Sequence, residues 1–197
     1  DVVVVNKPSG LLSVPGRGEA LQDSAQTRIA QQFGRVYSVH RLDMDTSGIL
    51  MFALRRKAER HLKAQFRLRT VQKRYEALVF GDLEPAVGVI ELPLAHDPFD
   101  KPKSKVCETT GKAACTKYRV LGSTTWGSRV ELCPVTGRSH QLRVHMMAVG
   151  HPILGDRFYA SGDALDAAPQ LQLHATSLVF SHPYSNTTMT ITAIADF

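Results

Sequence analysis

The chain has 197 residues, 43% of them hydrophobic, enough to bury a core as one domain or as one domain of two lobes. Lysine and arginine outnumber aspartate and glutamate by 24 to 18, a formal charge of +6. That excess favours a polyanionic partner without choosing between RNA, DNA and a membrane surface. No apolar run approaches a membrane span, and the N-terminus lacks the layout of a signal peptide. The odd count of cysteines, Cys107, Cys115 and Cys133, shows no C-x-x-C spacing, so reduced thiols in a cytoplasmic protein are expected.

Asp1 leads directly into Val2-Val3-Val4-Val5, which reads as a strand entered in mid-domain, with a short N-terminal piece missing. The spacing of apolar residues predicts strands at Val2–Asn6, Val36–Val39, Gly48–Leu54, Tyr75–Phe80, Val87–Leu92, Thr116–Leu121, Arg129–Cys133, Leu171–Phe180 and Met189–Ala193. Helices are predicted at Ser24–Phe33, Lys57–Phe66 and Ser139–Val149, the last closed by Gly150 with Pro152 beyond. Strands outnumber helices without alternating with them. The fold class expected is therefore α+β, a mainly antiparallel mixed sheet flanked by helices and loops. The segment Asp97–Lys105 reads as a polar, proline-broken insertion, and Ser161–Pro169 as a surface loop.

The segment His40-Arg41-Leu42-Asp43-Met44-Asp45-Thr46-Ser47-Gly48 sets charge on a short loop between two apolar runs. Asp and Arg are costly to bury unless paired or used, and loops held by rigid strands are where reactive groups sit. Asp45 to Gly48 read as turn chemistry, whereas Arg41 and Asp43 read as functional. Two basic patches flank this loop. Arg55, Arg56, Lys57, Arg60, Lys63, Arg67, Arg69, Lys73 and Arg74 form one, and Lys101, Lys103, Lys105 and Lys112 the other. Phosphate contacts from such patches supply affinity without reading sequence.

A second constellation runs from Cys133 through Thr136-Gly137-Arg138-Ser139-His140-Gln141-Leu142-Arg143 to His145, a strand turning into a helix. Ser139 is the expected N-cap, and Leu142, Met146 and Val149 share the core face. Arg143 leaves that face at a different angle. His140 and His145 are five residues apart and do not share a helical face, so no metal site is expected.

These runs resemble the A-class pseudouridine synthases of the large ribosomal subunit. Asn6-Lys7-Pro8-Ser9-Gly10-Leu11 resembles the family's entry strand and turn, and His40-Arg41-Leu42-Asp43 with Thr46-Ser47-Gly48 its catalytic loop. Lys73-Arg74-Tyr75-Glu76-Ala77 resembles the tyrosine motif. Gly137 to His145, followed by Gly150-His151-Pro152-Ile153-Leu154-Gly155-Asp156, resembles the arginine motif and its sequel. The resemblance implies one catalytic domain over residues 1–197 with a central cleft and no S4 domain. Asp43 is implied as the catalytic aspartate, Tyr75 as the tyrosine packing on the target base, and Arg143 as the arginine paired with the aspartate. Arg41 is implied as the residue filling the space of a flipped nucleotide, with His40, Thr46, Arg138 and Leu142 as further substrate contacts.

Pro8–Arg17 and Arg138–Ser161 are most similar to members acting on both 23S rRNA and a tRNA anticodon stem–loop, which implies those RNAs as partners of a monomer. Detaching uracil from C1′ and rejoining it through C5 needs no redox step and no external nucleophile, so no cofactor is expected. It needs an ionised carboxylate that attacks sugar or base or takes a proton from C2′. A neighbouring guanidinium keeps such a carboxylate charged against burial. Aromatic stacking offsets the cost of extruding the base.

Two other readings remain. Asp43-Met44-Asp45-Thr46 also fits D-x-D-x-T, the signature of magnesium-dependent phosphatases that form a phosphoaspartate. That reading needs an apolar strand running straight into the first aspartate. The other is a non-catalytic RNA-binding module that uses only its basic surface.

Overall fold

The computed structural model describes all 197 residues. They form two compact units. The first is Asp1–Lys73 with His174–Asp196, and the second is Arg74–Leu173 with Phe197. The first unit is thus discontinuous in sequence.

In the first unit the central strand is β3 (Ser47–Ala53). Its residues Gly48 to Ala53 are all buried, and both of its edges are occupied. Along one edge runs β1 (Val2–Lys7), antiparallel, with Val2 opposite Ala53 and Lys7 opposite Gly48. The other edge is shared. The short β2 (Tyr37–Ser38) pairs with Phe52 and Ala53, and β10 (Leu173–Ser181) runs parallel beside Ser47 and Gly48. Strand β11 (Thr188–Thr192) closes antiparallel on β10. The predicted strand Val36–Val39 shrinks to two residues, because Val36 and Val39 bury their side chains as core without joining a ladder.

Helix α1 (Ala25–Phe33) opens on a capping box between Ser24 and Thr27 and ends at Gly34. Helix α2 (Arg56–Leu68) buries Ala58, Glu59, Leu62 and Gln65. Gln65 ties it to the end of β10, its Nε2 donating to Ser181 O at 2.8 Å and its Oε1 accepting from Ser181 N–H at 2.9 Å. The opposite face exposes Arg56, Lys57, Arg60, Lys63 and Arg67, so the basic stripe lies on a solvated helix face.

The second unit is built on an antiparallel meander. Strand β4 (Gln72–Phe80) pairs with β9 (Gly127–Pro134), β9 with β8 (Thr116–Thr124), and β8 with the edge strand β5 (Val87–Ile90). Its core joins Ala77, Val79, Val130 and Leu132 of the sheet to Leu142 and Met146 of helix α3 (Gln141–Ala148). The α+β expectation is correct, and the sheets are mainly antiparallel.

Two segments differ from expectation. The polar insertion contains a hairpin, β6 (Leu94–His96) with β7 (Ser104–Val106), and the 161–169 loop contains a short helix, α4 (Asp163–Asp166). Three-residue strands and a single helical turn leave too short a periodicity to read.

Candidate active site

In the first unit, the loop carrying Asp43 is clamped by the segment that follows β1. Lys7 is 1% exposed, and its ammonium donates to the carbonyls of Pro8 at 2.9 Å, Leu11 at 2.7 Å and Met44 at 2.8 Å. Gly10 N–H also donates to Met44 O, at 3.0 Å, and Ser9 Oγ donates to Asp45 O at 2.8 Å. Ser13 Oγ bridges the backbone of Leu42, donating to its carbonyl and accepting from its N–H. Every residue from Leu42 to Asp45 except Asp43 is therefore tied by its main chain to residues 7–13. Thr46 N–H closes a turn on Asp43 O at 3.2 Å.

Burial pushes the Lys7 ammonium down to about 8, and the carboxylates of Asp45 and Asp43 oppose that fall. Lys7 thus places a cation within electrostatic reach of both acids. Sequence reasoning missed it, because one lysine at a strand end ordinarily reads as surface. The signal was its position before Pro8, at the end of a four-valine run.

The other first-unit candidates divide. Arg41 is exposed, as a residue that meets a substrate must be, and Asp43 is half-buried. His40 is committed to the fold. Its Nε2 accepts from Met51 N–H at 3.0 Å, and its ring stacks on Phe66 at 4.8 Å. Burial, with the charge of Lys73 adding to it, pushes the imidazole down to about 3, so the ring is neutral at physiological pH. Thr46 is buried. The half-buried His40 ring braces the loop through these contacts, and the Thr46 side chain is enclosed by the fold.

Gly48 is required by packing. Its φ is +106°, and a Cβ there would lie 2.4 Å from both N and O of Ala175 on β10. It lies inside β3 and not in a turn, contrary to the turn reading of the Thr-Ser-Gly run.

In the second unit, Arg143 is 1% exposed on α3. Asp156, wholly buried, takes its guanidinium side-on, with Nε at 2.8 Å and Nη2 at 2.6 Å. The N–H groups of Phe158 and Tyr159 donate to the same carboxylate. The rings of these two residues flank the guanidinium, with centroids 5.1 and 5.2 Å from Cζ. His140 Nδ1 lies 2.6 Å from Tyr159 Oη.

His140, and not Ser139, is the N-cap of α3. It is left-handed (φ 54°) and makes no side-chain cap. Gln141, the first helical residue, instead braces the turn before the helix, its Oε1 accepting from Arg138 N–H at 3.0 Å and from Thr136 Oγ1 at 2.7 Å. Leu142 is a core residue, so its side chain is not a substrate contact, and Val149 is exposed. Arg138 is half-exposed and donates from Nε to Ala113 O at 3.1 Å. Tyr75, opposite Leu132 on β4, is partly buried against the second unit's core.

Residues 1–148 match the family model described as RNA pseudouridylate synthase. The chain belongs to the RNA pseudouridylate synthase family. It is 56% identical to the dual-specificity RNA pseudouridine synthase RluA of Salmonella typhimurium and 55% identical to that of Escherichia coli K12, covering all of this chain and 90% of each relative. The Haemophilus influenzae enzyme of the same name is 51% identical over 98% of this chain and 89% of its own length. Among solved structures, human RNA pseudouridylate synthase domain containing 1 superposes with a TM-score of 0.82 at 29% identity, over 98% of this chain and 80% of that one.

For a pseudouridine synthase the phosphatase reading falls away. Its geometry also fails here, because the apolar strand β3 follows Asp43 and does not lead into it. No helix is long and apolar enough to cross a membrane.

Proposed function

We propose that this enzyme converts uridines of 23S rRNA and of a tRNA anticodon stem–loop to pseudouridine, with Asp43 as the reacting carboxylate. The observation that carries the assignment is the clamp on the Asp43 loop. Lys7, Ser9, Gly10 and Ser13 fix the main chain on both sides of one half-buried acid. A reacting group held by rigid neighbours avoids reorganisation at the moment of reaction.

The reaction breaks the C1′–N1 bond, turns the uracil and forms C1′–C5. The C5 proton leaves and N1 gains one, so the change is an isomerisation. In this reading Arg41, exposed beside Asp43, takes the position vacated by the extruded nucleotide. Tyr75 offers its ring to the base, and stacking of that kind contributes about 1–3 kcal/mol. Arg143 contributes a guanidinium fixed in orientation by Asp156.

Asp43→Asn tests the assignment. The variant should bind both RNAs within about twofold of wild type and lose at least about three orders of magnitude in turnover. Pseudouridine is read by mass spectrometry after cyanoethylation. Wild-type levels of product from Asp43→Asn would remove the acid from the mechanism.

A further inference from the structure

Asp156 orients the Arg143 guanidinium by binding Nε and Nη2, a grip that fixes its direction within the carboxylate plane. Tilt out of that plane is opposed by two rings. Phe158 and Tyr159 have centroids 5.1 and 5.2 Å from Cζ, and their planes cross at 82°.

A ring restrains a cation only if the ring is itself held. Tyr159 is held at both ends. Its N–H donates to Asp156 Oδ1 at 3.3 Å, and its ring packs against the cluster of Leu94, Ala114 and Val144. At the far end, Oη accepts from Ser104 N–H of β7 at 2.8 Å and lies 2.6 Å from His140 Nδ1. The imidazole is edge-on to the Tyr159 ring at 5.6 Å and stacks on Phe158 at 5.8 Å.

The backbone of His140 points the same way. A left-handed conformation, here φ 54°, is uncommon for a residue with a side chain, and strain of that kind persists where the surroundings enforce it. It gives α3 no capping bond. What the histidine does supply is a buried hydrogen-bond partner for the Tyr159 hydroxyl.

We propose that Tyr159 is a positioning residue for Arg143, its ring locked against the guanidinium by the hydroxyl's bonds to His140 and Ser104. Asp156 sets where the charge sits, and Tyr159 sets which way its plane faces. The hydroxyl therefore acts through Arg143. The proposal rests on the reading of Arg143 as part of the isomerisation site.

Tyr159→Phe keeps the ring and removes the hydroxyl. It should lower kcat about tenfold while KM and RNA Kd stay within about twofold of wild type. His140→Leu cuts the same bond from the other side and should have the same effect. His140→Asn keeps a polar atom in place and tolerates the left-handed backbone, so it should retain at least about half of the wild-type kcat. The double variant Tyr159→Phe/His140→Leu should be no slower than either single one, because both remove one bond. In ¹⁵N NMR the Nε–H signal of Arg143, identified by its loss in Arg143→Met, should move in Tyr159→Phe and His140→Leu and stay in His140→Asn. Wild-type kcat in Tyr159→Phe overturns the proposal, as does an unmoved Arg143 signal. A loss confined to KM and Kd overturns it too, since the hydroxyl would then be a substrate contact. Multiplied losses in the double variant would make the two residues independent, with the same result. If Tyr159→Phe does not fold, the two His140 variants carry the test. Arg143→Met at wild-type kcat defeats the reading of Arg143 instead, and the Arg143 signal in Tyr159→Phe tells that failure from this one.

Discussion

Each unit buries one long cation to 1% exposure, Lys7 in the first and Arg143 in the second, and the two are accommodated by opposite means. Lys7 is met by three neutral carbonyls, so its charge is solvated by dipoles without being cancelled. Its pKa falls to about 8, and its field still reaches Asp43 and Asp45. Arg143 is met by a carboxylate that grips two of its nitrogens, so the pair is close to neutral and rigid in orientation. The first arrangement preserves a local positive potential, and the second preserves a geometry. Lysine and arginine suit those tasks respectively, because an ammonium is a titratable point charge and a guanidinium is a fixed planar fork.

Removing one partner at a time sharpens that contrast. The largest effect is expected from Asp156→Ala, which leaves the Arg143 charge buried without its carboxylate. Urea unfolding should show a loss of about 3–5 kcal/mol. A loss below about 1 kcal/mol would mean that the grip is dispensable and the comparison fails.

Lys7 should show itself through pH. Its folded value of about 8 lies below the ordinary 10.5, so between those limits the unfolded chain binds more protons and stability rises with pH. Below pH 8 the burial cost is fully present, about 3 kcal/mol at 1.36 kcal/mol per unit. It is relieved as pH climbs toward 10.5. Lys73, also pushed down to about 8 by burial, shares that window, so the variant is compared with wild type and not with zero. The stability of Lys7→Met relative to wild type should therefore decline by about 3 kcal/mol between pH 7.5 and 10.5. Parallel curves would show that the ammonium is effectively hydrated.

The smallest effect is expected from Arg143→Met. It should lower kcat about a hundredfold, near 3 kcal/mol, while RNA affinity changes less than twofold. Equal losses in both would make the guanidinium a phosphate contact.

Much of this was legible in the residues. The buried run Ile49–Ala53 announced a central strand, and the charged interruption before it announced the reactive loop. What escaped were features whose meaning lies in distant partners. Lys7 contacts Met44, 37 positions away, and nothing local marks it as interior. Asp156 closed a motif without a role of its own, because its partner Arg143 lies 13 positions back on a helix. Ser139 looked like an N-cap by residue type, yet the left-handed backbone at His140 moves the helix start by one residue and leaves α3 without a side-chain cap. Thr46 and Leu142 lie within functional motifs, but their side chains serve packing, which motif membership alone does not reveal.

The discontinuity of the first unit has a consequence for biosynthesis. About 120 residues separate β3 from the strand that supplies Ala175 against Gly48 and His174 Nδ1 at 2.8 Å from Ser47 Oγ. The half of the molecule bearing Asp43 therefore stays incomplete until the ribosome has released β10, whereas Arg74–Leu173 is available to fold earlier. The sheet around the Asp43 loop is thus one of the last parts of the fold that can close.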